Sequence, residues 1–390
     1  MKVLILHQHF NTPQEGGAIR SYYLATALAA QGIKPIVITS HNKKLYNIVD
    51  KDGIEVHYLP VPYNNHFGFW KRSFSFLRFA RGAFRLAGNY REAEVCYAIS
   101  APLTVGLAAL SIQRRYRIPY IFEVGDLWPD APIQLGFVKN RFLKNALYRL
   151  EKTIYNNAQA IVALSDMIKS GIEKKVPGKK IQVIPNMADT DFYRQEDKDQ
   201  QLEKKFGVEG KFVVSYIGAV GMANGLDFFV ECAKASQSAR LPVYFLLCGD
   251  GAMLENLKQT VEELQLSNFS FIPFQNRAGV RAVMNVTDAI FICYKPIPIL
   301  ETGSPNKYFD GLASGKLIIS NFGGWIKEET AKQQCGISVD AKNPLDFVKQ
   351  IEPFVKSPRL LRQFQQQSRL LAESRYARKI LSIKFAKVFG

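Results

Sequence analysis

At 390 residues with 47% apolar content, the chain is long enough for two domains of ~150 residues, each with a full core. Its five cysteines (Cys96, Cys232, Cys248, Cys293, Cys335) are scattered through apolar runs without a Cys-x-x-Cys pair. The five histidines, all between His7 and His66, have no metal-site spacing. These patterns argue against a disulfide framework and a His or Cys metal site, and the cysteines fit a reduced, cytosolic protein. The formal net charge of +17 calls for acidic partners: nucleic acid, anionic lipid or phosphorylated small molecules.

The first stretch, Lys2–His7 (KVLILH), is expected as a buried strand, with no signal peptide expected before it. Gly16 and Gly17 lead into a helix expected over Ser21–Gln31. Two glycines there let the backbone approach a ligand closely, and Arg20 can meet an anion in the first turn. A tight strand–helix connection explains the same glycines. Further strands are expected at Lys34–Thr39, Gly53–Val61, Glu94–Ser100, Pro119–Glu123, Ala160–Ser165 and Gln182–Pro185. Continuous apolar strands alternating with helices argue a parallel sheet covered on both faces. No apolar run reaches the ~20 residues of a membrane span.

Within this half, residues 66–86 (HFGFWKRSFSFLRFARGAFRL) carry no acid; none occurs from Val56 to Arg91. Wound as a helix, Lys71, Arg78, Arg81 and Arg85 share one sector, and Trp70, Phe74 and Leu77, with Phe69, Phe76, Phe79 and Phe84, cover most of the rest. Such a helix fits an anionic lipid interface; a core-packed helix with a solvated basic edge is the competing reading. Glu123 and Asp126 end the strand before Leu127-Trp128-Pro129, where a carboxylate would point into a ligand cleft. Asp126 can also cap the helix that follows.

Met187–Lys211 is charged and poor in large apolar residues, which makes it the expected interdomain linker. The pattern then restarts. Strands are expected at Phe212–Gly218, Val243–Gly249 and Ser270–Pro273, with helices at Gly225–Ser236, Met253–Leu266 and about Gly279–Asn285. Ile290–Tyr294 is the next strand. Ser304 as N-cap and Pro305 at the first helical position start a helix to Gly315, and the strand Lys316–Asn321 and the glycines 323 and 324 follow. Free N–H groups and the positive helix end suit an anion, Lys307 adds a mobile cation, and Asp310 lies one turn beyond Asn306. A carboxylate there can accept hydrogen bonds from sugar hydroxyls, so the stretch suits a phosphate with a sugar on either side. A last strand, Gly336–Val339, and a helical, basic C-terminus (Arg375–Lys387) complete the chain.

SPNKYFDGLASGK followed by NFGGW resembles the donor-sugar site of retaining glycosyltransferases of family 4, and more narrowly the branch that builds bacterial capsule and O-antigen polysaccharides. The resemblance covers nearly the whole chain and implies an α/β GT-B fold: two doubly wound, Rossmann-like parallel-sheet domains facing a central cleft. Residues 1–190 would form the acceptor domain and 191–374 the nucleotide-sugar domain, with a basic helix at 375–390 packing back on the first.

The family pattern pairs a Glu with an acid eight residues later. Asp310 takes the second place, while Thr302 stands at the first with Glu301 beside it. Gly218 and Gly221 match the phosphate-binding loop, and LLCGDG (246–251) matches the next strand end. Most members carry a basic pair in that loop; here 222–225 has none, so helix N-termini, Lys307 and Lys295 are left to meet a diphosphate. Pro185, Asn186 and Asp189 match a hinge motif.

The resemblance thus implies donor contacts from Gly16, Gly17, Arg20, Gly218, Gly221, Lys295, Glu301, Ser304, Asn306, Lys307 and Asp310. The catalytic candidates are Asp126, Glu123 and Asp310. It implies no cofactor and no metal, with a nucleotide sugar as substrate and an undecaprenyl-type lipid-linked acceptor. The proton of the acceptor hydroxyl has two routes open, a protein base or the leaving phosphate. The setting is cytoplasmic and peripheral, on the inner face of the plasma membrane, held through residues 66–86. A GT-B nucleotide-sugar epimerase and a basic nucleic-acid-binding protein are the alternatives. The latter lacks paired zinc ligands or an RNP motif, so nucleic acid is not an expected partner.

Overall fold

The computed structural model describes residues 1–17, 19–64, 67–100 and 102–389. The chain forms two compact units: Met1–Pro185 with Thr302–Ser304 and Lys379–Gly390, and Asn186–Glu301 with Pro305–Arg378. The change of unit falls between Pro185 and Asn186, and the segment returning to the first unit begins at Lys379.

The first unit holds eight strands: β1 (Lys2–Leu6), β2 (Lys34–His41), β3 (Asn47–Lys51), β4 (Ile54–Pro60), β5 (Val95–Ile99), β6 (Tyr120–Val124), β7 (Ala160–Ala163) and β8 (Ile181–Val183). They pair in the order β3-β4-β2-β1-β5-β6-β7-β8, all parallel except the edge strand β3. Leu4 at the centre of β1 stands opposite Ile36 on one side and Cys96 on the other. These strands are apolar on both faces because helices cover both. The helix over Phe69–Ala87 follows β4, Thr104–Tyr116 follows β5 and Arg141–Asn157 follows β6. The middle helix packs against the other two.

The second unit is a six-stranded, wholly parallel sheet: β9 (Phe212–Ile217), β10 (Val243–Cys248), β11 (Phe269–Ile272), β12 (Ala289–Ile292), β13 (Leu317–Ser320) and β14 (Gly336–Ser338), ordered β11-β10-β9-β12-β13-β14. Its core centres on Phe229, whose ring meets Phe245 at 5.2 Å and Phe291 at 5.4 Å, edge to face. The strand order reverses at β9, and the carboxyl end of such a strand is where a doubly wound sheet binds ligands.

Two expectations are corrected. The stretch expected as the interdomain linker, Met187–Lys211, lies within the second unit and contains the helix Gln200–Phe206. Asp199 caps it by accepting from the Gln201 and Leu202 amides at 2.8 and 3.1 Å, and Gly207 closes it at φ +67°. The helix expected from Pro305 starts at Asn306. Pro305 has an extended ψ of 132° and takes the N-cap place intended for Ser304, with no side-chain cap.

Candidate functional site

At the carboxyl end of β9 the chain turns through Gly218, Ala219, Val220 and Gly221. Gly218 N donates to Cys248 O at 2.9 Å and Val220 N to Asp250 O at 2.9 Å, which lays this loop on the one after β10. The approach is so close that a Cβ on Gly249 would stand 1.9 Å from Gly218 O, and one on Gly251 2.5 Å from Val220 O. Gly221 N donates to Asn224 Oδ1 at 3.1 Å, and Gly225 turns at φ +58° with the Lys295 stem over it. Glycine is therefore dictated by backbone packing here as much as by any ligand.

Lys307, in the first turn of the helix Asn306–Ala313, reaches back to this loop. Its Nζ donates to Tyr216 Oη at 2.8 Å and lies 4.1 Å from the Tyr216 ring centroid and 5.5 Å from that of Tyr294. Burial among these groups pushes its ammonium down to about 8. Tyr216 Oη donates onward to Ala219 O at 2.6 Å. Sequence reasoning missed Tyr216. Its only signal is a hydroxyl two residues before Gly218 on a strand that otherwise reads as core.

Glu301 rests its carboxylate over Gly323, where an added Cβ would stand 3.0 Å from Oε2. Asn306 is exposed at the start of its helix and Ser304 is buried. Asp310, half-buried, belongs to a different neighbourhood from Lys307. Burial raises its carboxyl to about 7, with Asp189 pushing the same way and Arg277 opposing. Asp189 itself is held by Arg277 and by Arg378 Nη1 at 3.2 Å, while the Arg277 guanidinium sits 3.8 Å from the Phe192 ring centroid. The hinge acid Asp189 is thus an anchor between two arginines. The structure brings together Gly218, Gly221, Lys295 and Lys307, and sets Asp310 beside the Arg277–Asp189 pair.

In the first unit, Arg20 is not left facing an anion. Its Nε and Nη2 donate to the two Glu123 oxygens at 3.0 and 2.9 Å, and Nη1 and Nη2 donate to Pro185 O and Ile184 O at 2.5 and 2.9 Å. Tyr97 Oη donates to Glu123 as well. Glu123 is fully buried, so this is an internal bidentate pair that ties β6 to the helix Arg20–Ala29 and the chain after β8. Asp126, by contrast, is exposed in the loop after β6, and caps no helix: the next one, Asp130–Gln134, begins beyond it. Gly16 and Gly17 turn at φ +77° and +76°. A group of three or more His, Cys, Asp or Glu able to hold a metal is absent among the described residues.

The basic–aromatic helix runs over Phe69–Ala87; His66 lies outside the described residues. The helix has one packed face and one exposed face. Phe79, Ala80, Ala83 and Ala87 are buried against the unit, so the aromatics do not ring the helix freely. Yet Trp70, Phe74 and Leu77 are 82%, 68% and 53% exposed, and Lys71, Arg78, Arg81 and Arg85 are exposed with them. Trp70, Phe74, Lys71 and Arg78, with Val61 and Pro62, line a surface groove of about 340 Å³. Among the described residues no helix is long and apolar enough to cross a membrane.

Residues 15–187 match the glycosyl transferase 4-like domain, and residues 197–371 match glycosyl transferases group 1. By fold and domain content the chain is a glycosyltransferase of the GT-B type. Among its relatives is a putative teichuronic acid biosynthesis glycosyltransferase, TuaH, of Bacillus subtilis, 25% identical over 58% of this chain. The chain spans 56%, about half, of that relative's length. Of the solved structures, the sucrose-phosphate synthase of Thermosynechococcus elongatus aligns with a TM-score of 0.80 at 12% identity, covering 100% of this chain and 98% of its own. Anabaena HepE in complex with UDP aligns at 0.74 with 16% identity, covering 100% and 99%. At these identities the structures speak for the fold alone.

Proposed function

We propose that the protein is a retaining family 4 glycosyltransferase that moves a hexosyl- or N-acetylhexosaminyl-type sugar from a nucleotide-sugar donor to a lipid-linked glycan acceptor. The setting we assign is the assembly of a cell-surface polysaccharide, capsule or O-antigen in type, at the cytoplasmic face of the membrane. One observation carries the donor reading: the Lys307 ammonium lies over Gly218 at the carboxyl end of β9, beside the uncapped N-terminus of its own helix. An ammonium at a strand end, beside a helix N-terminus, suits a diphosphate, and Lys295 over Gly225 adds charge.

In this scheme the sugar–phosphate bond breaks toward an oxocarbenium-like sugar, and the diphosphate leaves with its charge held by Lys307 and Lys295. Asp126, accessible at the carboxyl edge of the first sheet, orients the acceptor hydroxyl or takes its proton. Asp310 accepts from a sugar or ribose hydroxyl. The polysaccharide setting is supported by the teichuronic acid biosynthesis glycosyltransferase among the relatives, and a nucleotide ligand is in keeping with HepE, a protein of the same fold in complex with UDP. The exposed Trp70–Phe74–Leu77 face among Lys71, Arg78, Arg81 and Arg85 is the membrane contact.

The test is incubation with a panel of nucleotide sugars and a polyprenyl-diphosphate-linked acceptor, read by mass spectrometry and NMR. The expected product is an acceptor heavier by one glycosyl unit, with the donor's anomeric configuration. An inverted linkage, or a donor epimerised without transfer, would refute the reading.

A further inference from the structure

A second surface of the first unit has the same character as the Trp70 face and enters none of the chemistry above. Phe142, Phe137 and Leu143 are 76%, 48% and 44% exposed, and Lys139, Arg141 and Arg149 are exposed around them. The sequence carries no acid from Ala131 to Leu150. The two acids that bracket this stretch are both turned inward on one cation: Lys175 Nζ pairs with Asp130 and lies 2.7 Å from Glu151 Oε1. The patch therefore meets solvent as apolar rings among uncompensated positive charges.

It is also built firmly. Asn140 caps the helix Arg141–Asn157 by accepting from the Phe142 and Leu143 amides at 2.9 and 3.1 Å. The preceding loop is pinned by the buried Val138, with Phe137 N and Val138 N both donating to Pro132 O at 2.9 and 3.2 Å. Three large apolar side chains are thus held outward on a fixed scaffold, against the ordinary tendency to bury them.

The topology puts this patch level with the first one. The helices Phe69–Ala87, Thr104–Tyr116 and Arg141–Asn157 each connect parallel strands and pack in that order, so each starts at the carboxyl edge of the sheet. Trp70 and Phe142 both lie in a first turn at that edge, two helix spacings apart, roughly 20 Å at 8–10 Å per spacing. The loop bearing Asp126 leaves the same edge from β6, the strand that leads into the second patch.

We infer that Phe137, Phe142 and Leu143, with Lys139, Arg141 and Arg149, form a second foot on an anionic bilayer. Together with the Trp70 face it stands the carboxyl edge of the first sheet, and the Asp126 loop with it, on the membrane. The inference rests on the membrane contact proposed for residues 69–87. Two weak contacts on one rigid unit multiply rather than add, because the second engages at high effective concentration once the first is down.

The experiment is co-sedimentation of the full chain with phosphatidylcholine vesicles containing phosphatidylglycerol, and with pure phosphatidylcholine vesicles, alongside thermal melts and gel filtration. The variants are Phe137→Ala with Phe142→Ala, Lys139→Ser with Arg141→Ser, and Trp70→Ala with Phe74→Ala. The Phe137/Phe142 variant is expected to lose anionic-vesicle binding roughly tenfold or more, with the melt unchanged. The Lys139/Arg141 variant is expected to lose binding to anionic vesicles only. Vesicle binding that falls in the Trp70/Phe74 variant but is untouched in both others would overturn the second foot and leave the first standing. Loss in the Phe137/Phe142 variant alone would keep the second and remove the first. A wild-type dimer that Phe137/Phe142 substitution splits, with vesicle binding intact, would assign the patch to a second copy of the chain and overturn the inference.

Discussion

Lys307 lies against a glycine, and the fit depends on the glycine having no side chain. A Cβ at Gly218 would stand 3.2 Å from Lys307 Cε and 3.5 Å from Nζ, and Gly218 sits at φ +145°. The ammonium is held over the end of β9 by its hydrogen bond to Tyr216.

Substituting Lys307 tests this arrangement directly. Lys307→Ala is expected to weaken nucleoside diphosphate binding by about 1.5–3 kcal/mol, roughly ten- to a hundred-fold. The pH profile is the sharper readout. The free lysine titrates at about 8, and a bound anion raises that value, so wild-type affinity should hold below pH 8 and fall as pH rises above it. Calorimetry that finds the same alkaline loss in Lys307→Ala would remove Lys307 from the site.

Asp310→Asn should separate stability from function. The folded carboxyl titrates at about 7 against 3.8 for the ordinary group, so the wild-type fold loses stability as pH climbs between those values. Asparagine escapes that loss. Allowing for partial solvent screening, about 1 kcal/mol remains, a melting point higher by about 2–4 °C at pH 8 and unchanged near pH 4. Donor turnover should meanwhile fall about ten- to a hundred-fold through the lost hydrogen bond. Turnover at the wild-type level would free Asp310 from any donor role.

Asp126 is exposed and its side chain holds no helix in place. Asp126→Ala should therefore abolish transfer while the melt and the donor affinity stay at wild-type values. If donor affinity falls in parallel with transfer, the acceptor assignment is wrong.

Glu123 should behave in the opposite way. Replacing it with alanine strands the Arg20 guanidinium without its carboxylate in a buried site, which costs about 3–5 kcal/mol. The first unit should unfold well below the wild-type temperature, and Glu123→Ala should lose donor binding and transfer only as far as folding is lost. A stable Glu123→Ala protein with no turnover would restore a catalytic role.

Two faces of one helix give a paired prediction. Phe79 is wholly buried, and Phe79→Ala should cost about 3–5 kcal/mol of stability. The Trp70→Ala, Phe74→Ala double variant should leave the melt alone and weaken vesicle binding at every salt concentration, because apolar burial is not screened. A collapsed melt in that double variant with normal vesicle binding would sink the membrane contact.

Much of this architecture is legible from residues. The runs Val3–Leu6 and Val95–Ile99 are apolar throughout because helices cover both of their faces. The edge strand β3 (NIVDK) is mostly exposed and carries no such signal. Lys307 stands out by its place in a helix's first turn, but Tyr216, its partner, is 91 positions away and looks like any strand aromatic. Arg20 misleads for the same reason. Local reasoning gives it an anion to meet, and the anion it meets is Glu123, 103 positions on. Local rules name a group's charge; the fold decides which partner arrives.

The last residues of the chain complete the first unit. The Phe385 and Phe389 rings lie 4.9 and 5.7 Å from that of Tyr97, on whose hydroxyl the buried Glu123 depends. On the ribosome, then, the first unit is translated first and closed last. At about 5–20 residues per second, its Tyr97 face stays uncovered for roughly 10–40 s while the intervening unit is made. The second unit needs nothing later than Arg378. Assembly therefore runs against the direction of synthesis, and the nascent first sheet is the part that needs protection while it waits.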